Sequence, residues 1–168
     1  AAQHVPDLAC FSIGFKDERY DESPYAQAIA RKYGLRHFVK FVDGDDLVGM
    51  MEDWPAIADD ASAEPASVMR YLVAQFARDS GFKVVLSGEG SDEVFGGYLY
   101  FHKAPDAREF HAETVRKLDA LHNYDCLRAN KSMMAWGVEP RVPFLDTEFL
   151  DVAMKMDAQA KMARPGPQ

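Results

Sequence analysis

Short apolar runs alternating with helix-patterned stretches constrain this chain more than any other feature. Leu8-Ala9-Cys10-Phe11-Ser12-Ile13-Gly14-Phe15 is mostly apolar and closed by charge, as a buried strand is. Asp21 to Tyr33 then follows a helical period through Ala26, Ile29, Ala30 and Tyr33, with Ser23 expected as its cap, Pro24 at the first helical position and Gly34 as its stop. His37 to Val42 reads as a second strand, and Asp45 to Trp54 as a second helix ended by Pro55. A third helix spans Ser67 to Ser80, and Lys83-Val84-Val85-Leu86 is a third strand. Such alternation implies α/β architecture, a parallel sheet flanked by helices on both faces, over residues of about 8–98. Beyond Tyr98 the character turns helical over about 106–156: Asp106 to Leu121, Tyr124 to Trp136 and Thr147 to Met156 carry helical patterns around a Pro-containing loop, 137–146, and no further strand is expected.

Composition narrows the classes of function. A chain of 168 residues is one ordinary domain and buries roughly 70% of its unfolded surface, so it needs no metal or disulfide staple. Lys and Arg number 19 against 27 Asp and Glu, for a net charge of −8, which argues against a nucleic-acid binder. Cys10 and Cys126 belong to no metal-ligand or disulfide pattern, and the five histidines show no ligand spacing. A reducing, cytoplasmic setting with no membrane partner is expected, because no apolar run approaches the ~20 residues of a span and no signal-peptide layout opens the chain. The start without Met and the loose tail, 164–168, lead to the expectation of a piece of something longer.

The chemistry concentrates in Leu86-Ser87-Gly88-Glu89-Gly90-Ser91-Asp92-Glu93-Val94-Phe95-Gly96-Gly97-Tyr98, which leaves the carboxyl end of the third strand, where open parallel sheets bind ligands. Gly88 and Gly90 permit close backbone approach and positive φ, and Ser87 and Ser91 offer hydroxyls and exposed amides. Glu89, Asp92 and Glu93 would repel bare phosphate unless Mg²⁺ or a basic side chain intervened. The string therefore fits a site for a nucleotide together with an amine-bearing group. A tight turn followed by a helix opened by Asp92 and Glu93 explains the same spacing without a ligand.

This string resembles the signature of the synthetase half of glutamine-dependent asparagine synthetases, in the ATP-pyrophosphatase superfamily. The resemblance continues through Leu99-Tyr100-Phe101-His102-Lys103-Ala104-Pro105, Tyr124 to Lys131 and Trp136 to Asp146, and is densest from Val84 to Ala153. It implies an adenine nucleotide alpha hydrolase-like fold over 1–163, lacking its N-terminal strand. The implied reaction is activation of the β-carboxylate of aspartate by ATP, with Mg²⁺, to β-aspartyl-AMP and pyrophosphate, followed by ammonia attack. A carboxylate must become a mixed anhydride before an amine can attack it, and the anhydride must be kept from water.

Position by position, the resemblance places Ser87 and Gly88 against ATP and the backbone of Ile13 against adenine. Glu89 stands at the family's essential glutamate, Asp92 near pyrophosphate, Mg²⁺ or substrate, Lys117 and Tyr98 at the reaction centre, and Asp125 with Arg128 at the amino-acid substrate. Structural explanations stand beside each assignment. Ile13 serves equally as strand core, Lys117 as solvated charge on a helix rich in Glu113, Arg116 and Asp119, Asp125 and Arg128 as an i,i+3 ion pair, and Tyr98 as an interior aromatic. Glu89 alone lacks such an explanation, because a Glu between two glycines at a strand end has little structural purpose. Asp59-Asp60 to Pro65 corresponds to a substrate-side region but is too altered to assign.

Several family features have no counterpart in these 168 residues: the pyrophosphate loop Ser-Gly-Gly-x-Asp-Ser, the glutaminase that would supply ammonia, and a Lys-bearing stretch beyond Met162. The chain is accordingly expected to be inactive alone, and the missing strand to leave an aggregation-prone sheet edge. A homodimer of the parent enzyme is left open. Two other readings remain: a relative that adenylates a carboxylate and closes it intramolecularly, as β-lactam synthetases do with Tyr at the place of Glu89, and a noncatalytic nucleotide-binding fragment.

Overall fold

The computed structural model describes residues 1–5, 7–58 and 65–162. Asp59 to Glu64 and the tail lie outside them. Four strands, β1 (Ala9–Phe15), β2 (Arg36–Val42), β3 (Val84–Leu86) and β4 (Glu139–Arg141), and eight α-helices run along the described chain. The helices are α1 (Ser23–Tyr33), α2 (Gly44–Ala58), α3 (Pro65–Asp79), α4 (Ser91–Phe95), α5 (Ala107–Ala120), α6 (Asp125–Met134), α7 (Thr147–Lys155) and α8 (Ala158–Lys161). The chain divides into two compact units: 1–83 with 131–139, and 84–130 with 140–168.

In the first unit β1 and β2 pair in parallel, Ala9 opposite Arg36 through Phe15 opposite Val42. Alternation puts Phe11, Ile13 and Phe15 on one face. There Phe11 stacks on Phe38 and meets Phe76 of α3 edge-on, while Ile13 and Phe15 pack around buried Val42, Val68 and Leu72. A second cluster joins Trp54 of α2 to Tyr71 of α3, with Ile57 and Trp136 against them. Gly34 ends α1 as its position suggests, at φ 65° with its N–H turned to the last carbonyls.

Local signals misplace two other helix ends. Ser23 does not cap α1; it is buried in the first turn, its Oγ donating to Asp21 Oδ2 at 2.9 Å, and Asp21 Oδ1 accepts from the Ser23 and Phe15 amides at 3.0 and 3.3 Å. One aspartate thus joins the end of β1 to the start of α1. Pro55 does not end α2, which continues to Ala58. Proline costs an interior helix about 3 kcal/mol, and burial of Trp54 and Ile57 against Tyr71 on either side of it offsets that cost.

Among the described residues the three strands expected to share a single sheet are found in two. β3 pairs with β4, and the two make a second two-stranded sheet. β4 lies within the stretch expected to be loop, so a strand does follow Tyr98. Its ladder includes Ser87 N–H donating to Arg141 O at 2.8 Å, which extends the pairing to the first residue past β3. With one short neighbour, β3 leaves Val84 and Leu86 48% and 58% exposed rather than buried. The architecture is mixed α/β with small parallel sheets, parallel pairing being explicit for β1 and β2.

In the second unit Asp106 caps α5 by accepting from the Glu109 amide, and Asp146 caps α7 by accepting from the amides of Glu148 and Phe149. The core there gathers Val94, Phe101, Phe110, Thr114 and Leu121, all at most 4% exposed.

Candidate functional site

The turn after β3 is built differently at its two glycines. Gly90 has φ 91°, and a Cβ there would lie 2.3 Å from Leu145 Cδ2, so both backbone and packing demand glycine. Gly88 has no positive φ, and a Cβ there would meet nothing within 4 Å. The conformational role expected of both glycines therefore belongs to Gly90, and nothing in the fold of the described residues requires Gly88 to lack a side chain. Ser87 Oγ donates to Glu89 Oε1 at 3.4 Å, and both residues are half-buried.

α4 then turns the chain so that Gly97 passes beneath Asp92. Gly97 N–H donates to Asp92 O at 2.9 Å, and a Cβ on Gly97 would collide with the Asp92 carboxylate. Asp92 is exposed, whereas the neighbouring Glu93 is 3% exposed. That buried carboxylate accepts from the Tyr98 hydroxyl at 2.6 Å, and Asp125 Oδ2 lies at 3.5 Å from the same oxygen. A phenol has one proton to donate, so Glu93 holds the strong bond and Asp125 stands at the outer limit of one. Burial, then the Glu93 bond and the charges of Glu93, Asp125 and Asp92, push the Tyr98 phenol well above the ordinary tyrosine range.

Arg128, one turn along α6, donates to Asp125 Oδ1 at 2.9 Å with both side chains about four-fifths covered. The i,i+3 pair is present, and it lies largely buried beside the Tyr98 hydroxyl rather than on a solvated face. Lys117, near the end of α5, is half-buried with its ammonium 5.5 Å from the Tyr98 ring centroid and 5.4 Å from that of Tyr100. No carboxylate forms an ion pair with it among the described residues. Glu113, its neighbour on the helix, is committed to Arg116 through two bonds of 2.6 Å and accepts from the Tyr100 hydroxyl at 3.2 Å.

The structure thus brings together Tyr98, Lys117, Asp125 and Arg128 in one cluster, with Ser87, Gly88, Glu89 and Asp92 on the turn and helix of the same unit. Ile13 belongs to the other unit, where it packs on the core and also lines a groove of about 650 Å³ with Ser12, Phe15, Tyr25, Met69 and Arg70. Among the described residues no group of three or more His, Cys, Asp or Glu is arranged to hold a metal ion, and no helix is long and apolar enough to cross a membrane. Sequence reading missed the part played by Glu93 and left Tyr100 and Glu113 without one. Glu93 does lie in the first turn of α4, as its spacing suggests, but it is buried rather than facing a phosphate site, and its contact with Tyr98 five residues on follows no regular helical or strand spacing.

Comparison with known proteins gives this geometry its context. The asparagine synthase family model matches residues 1–112 and 103–166. Glutamine-hydrolyzing asparagine synthetase 2 of Arabidopsis thaliana is 59% identical over 167 residues, covering 98% of this chain and 28% of its own. Asparagine synthetase B of Escherichia coli strain K12, also glutamine-hydrolyzing, is 50% identical over 163 residues, 96% of this chain and 29% of its own. Asparagine synthetase 3 of Arabidopsis thaliana is 47% identical over 167 residues. The chain spans less than a third of the length of these relatives, and on both the domain match and the identities it belongs to the asparagine synthase family.

Proposed function

We propose that this chain is part of an enzyme that makes asparagine from aspartate, using ATP to activate the β-carboxylate and ammonia, released from glutamine by a separate glutaminase part, to displace AMP. The observation that carries the reading is the cluster around Tyr98: a cation that forms no ion pair among the described residues, Lys117, beside the ion pair of Asp125 with Arg128. Such a cluster can face an anion and an amino acid at once. A synthetase must do this when a phosphate leaves and a carboxyl carbon is attacked.

In this reading the backbone of Ile13 is the group that reads adenine, and Ser87 and Gly88 are those that meet the phosphates, as in an ATP-pyrophosphatase fold. Gly88 supports that role, because among the described residues nothing in its surroundings calls for glycine. A carboxylate oxygen of aspartate attacks the α-phosphorus of ATP, the bond to the bridging oxygen breaks, and pyrophosphate departs with its negative charge facing Lys117. Ammonia then attacks the carbonyl carbon, the bond to AMP breaks, and Glu89 takes the proton the new amide sheds. Mg²⁺ enters as a companion of the ATP substrate, with Asp92 the exposed carboxylate of the turn nearest in kind to that role. Asp125 and Arg128 hold the α-amino and α-carboxylate groups of aspartate.

Aspartate-dependent exchange of labelled pyrophosphate into ATP tests the first step in the enzyme that carries this chain. Exchange that requires aspartate, together with asparagine formation from ammonia that falls by about a hundredfold or more in Glu89→Gln, supports the reading. Exchange driven by another carboxylate instead of aspartate moves the chain to a different amide-forming enzyme. No exchange with any carboxylate leaves only nucleotide binding.

A further inference from the structure

We infer that Tyr98 and Tyr100 form a two-ring seat that positions the Lys117 ammonium, with Glu93 and Glu113 fixing the rings through their hydroxyls. The proposal rests on the reading of Lys117 as the cation that faces phosphate, and it adds three residues, Tyr100, Glu93 and Glu113, that have no role in that reading. The two rings lie nearly parallel, 11° apart with centroids at 5.9 Å, and the ammonium is almost equidistant from them. Each hydroxyl is tied to a different carboxylate: Tyr98 to buried Glu93, and Tyr100 to Glu113. Both rings also stack on Phe101, itself 3% exposed, so the seat rests on the core of its own unit.

The chemistry explains why rings rather than carboxylates hold this lysine. An ion pair would neutralise the ammonium and leave less charge for a departing phosphate, whereas a ring face attracts a cation through its quadrupole and keeps the full positive charge. The carboxylates act one atom removed. By accepting from the phenol they orient each ring without touching Nζ. Both oxygens of Glu113 are engaged by Arg116, and it forms no ion pair with Lys117 among the described residues. Glu93, Tyr100 and Glu113 are positioning residues in this scheme, acting through Lys117.

The test is a double-mutant cycle on the enzyme that carries this chain. Tyr100→Leu should lower the rate of aspartate-dependent pyrophosphate exchange about tenfold, with the KM for aspartate changed less than about twofold. Tyr100→Phe keeps the ring and should lose less than Tyr100→Leu. In a Lys117→Met background, Tyr100→Leu should cost less than about twofold more, because the ring then has no cation to place. The same factor in both backgrounds would overturn the seat. A second readout is independent of turnover: the Lys117 ε-methylene protons, lying near two ring faces, should resonate upfield of solvent-exposed lysines and move back in Tyr100→Leu. A Lys117 resonance among the exposed lysines in the unsubstituted protein overturns the proposal even if the enzyme is active. A displaced resonance in a protein without exchange upholds the seat and sinks only the proposed function.

Discussion

Tyr98 and Tyr100 differ in how deeply they are held, and their titration should show it. Burial and the Glu113 bond push the Tyr100 phenol up to about 12, and Tyr98 is raised further by deeper burial and the Glu93 bond. A folded value above the unfolded one of about 10 means the fold favours the neutral phenol. Its contribution to stability is complete below pH of about 10 and is lost as pH rises through about 12. Tyrosinate absorbance should therefore show a late step near 12 that Tyr100→Phe removes; a step that survives the substitution refutes the assignment. The carboxylate beneath Tyr98 has its own signature. Glu93→Ala removes the acceptor of a 2.6 Å bond in a site 3% exposed, and should lower unfolding stability by about 2 kcal/mol in urea titration. Glu93→Gln keeps an acceptor oxygen and should lose less, so equal losses would show that space rather than the bond is at stake. Spacing marks Glu93 as an acidic residue at the opening of a helix but not as a buried acceptor, because its bond depends on the turn at Gly96 and Gly97 bringing Tyr98 back to it.

The turn between β3 and α4 separates what a glycine does for the fold from what it does for a ligand. Gly90→Ala must place a Cβ against Leu145 at positive φ, and should cost about 2 kcal/mol or more in thermal or urea unfolding. Gly88→Ala meets open space and should leave stability within about 1 kcal/mol of the unsubstituted chain, with the balance of chain entropy favouring it. If the backbone of Gly88 approaches phosphate, that same variant should lose pyrophosphate exchange. Loss of stability at Gly88, or full exchange with Ala in place, would remove the support this glycine gives to a nucleotide site. The two roles could not be told apart from Gly-x-Gly alone, since Leu145 lies more than fifty residues downstream. Elements whose signals are local were legible: the α1 stop at Gly34, the helix that starts after Asp106 and the two strands β1 and β2 all follow from residues within a few positions. Pro55 misled because Trp54 and Ile57 are buried by a partner on another helix.

Strand pairing across long separations was the least legible part of the fold, and it carries a consequence for the chain as a body. β4 contains Pro140 and only three residues, too few for periodicity to register, yet it is what β3 pairs with, while β1 and β2 pair only with each other. Among the described residues each of these four strands therefore has a single neighbour, and an unpaired strand edge is a template for another chain. Apolar surface adds to it. Tyr25, Ile29 and Tyr33 follow one another at a spacing of four along α1 and are 76%, 56% and 57% exposed, and Val84 and Leu86 of β3 are about half exposed. Opposing both is the net charge of −8, whose mutual repulsion between copies reaches about 10 Å at 0.1 M salt and about 3 Å at 1 M. The isolated chain should accordingly self-associate in a manner that grows with protein concentration and with salt, as read by sedimentation velocity. Ile29→Lys, which interrupts the α1 stripe on its solvent side, should weaken that association without altering the unfolding midpoint. A chain that remains monomeric in high salt would mean that the exposed edges and stripe are too small or too interrupted to hold two copies together. An association weakened by salt would mean instead that pairing of opposite charges, rather than apolar contact, draws the copies together.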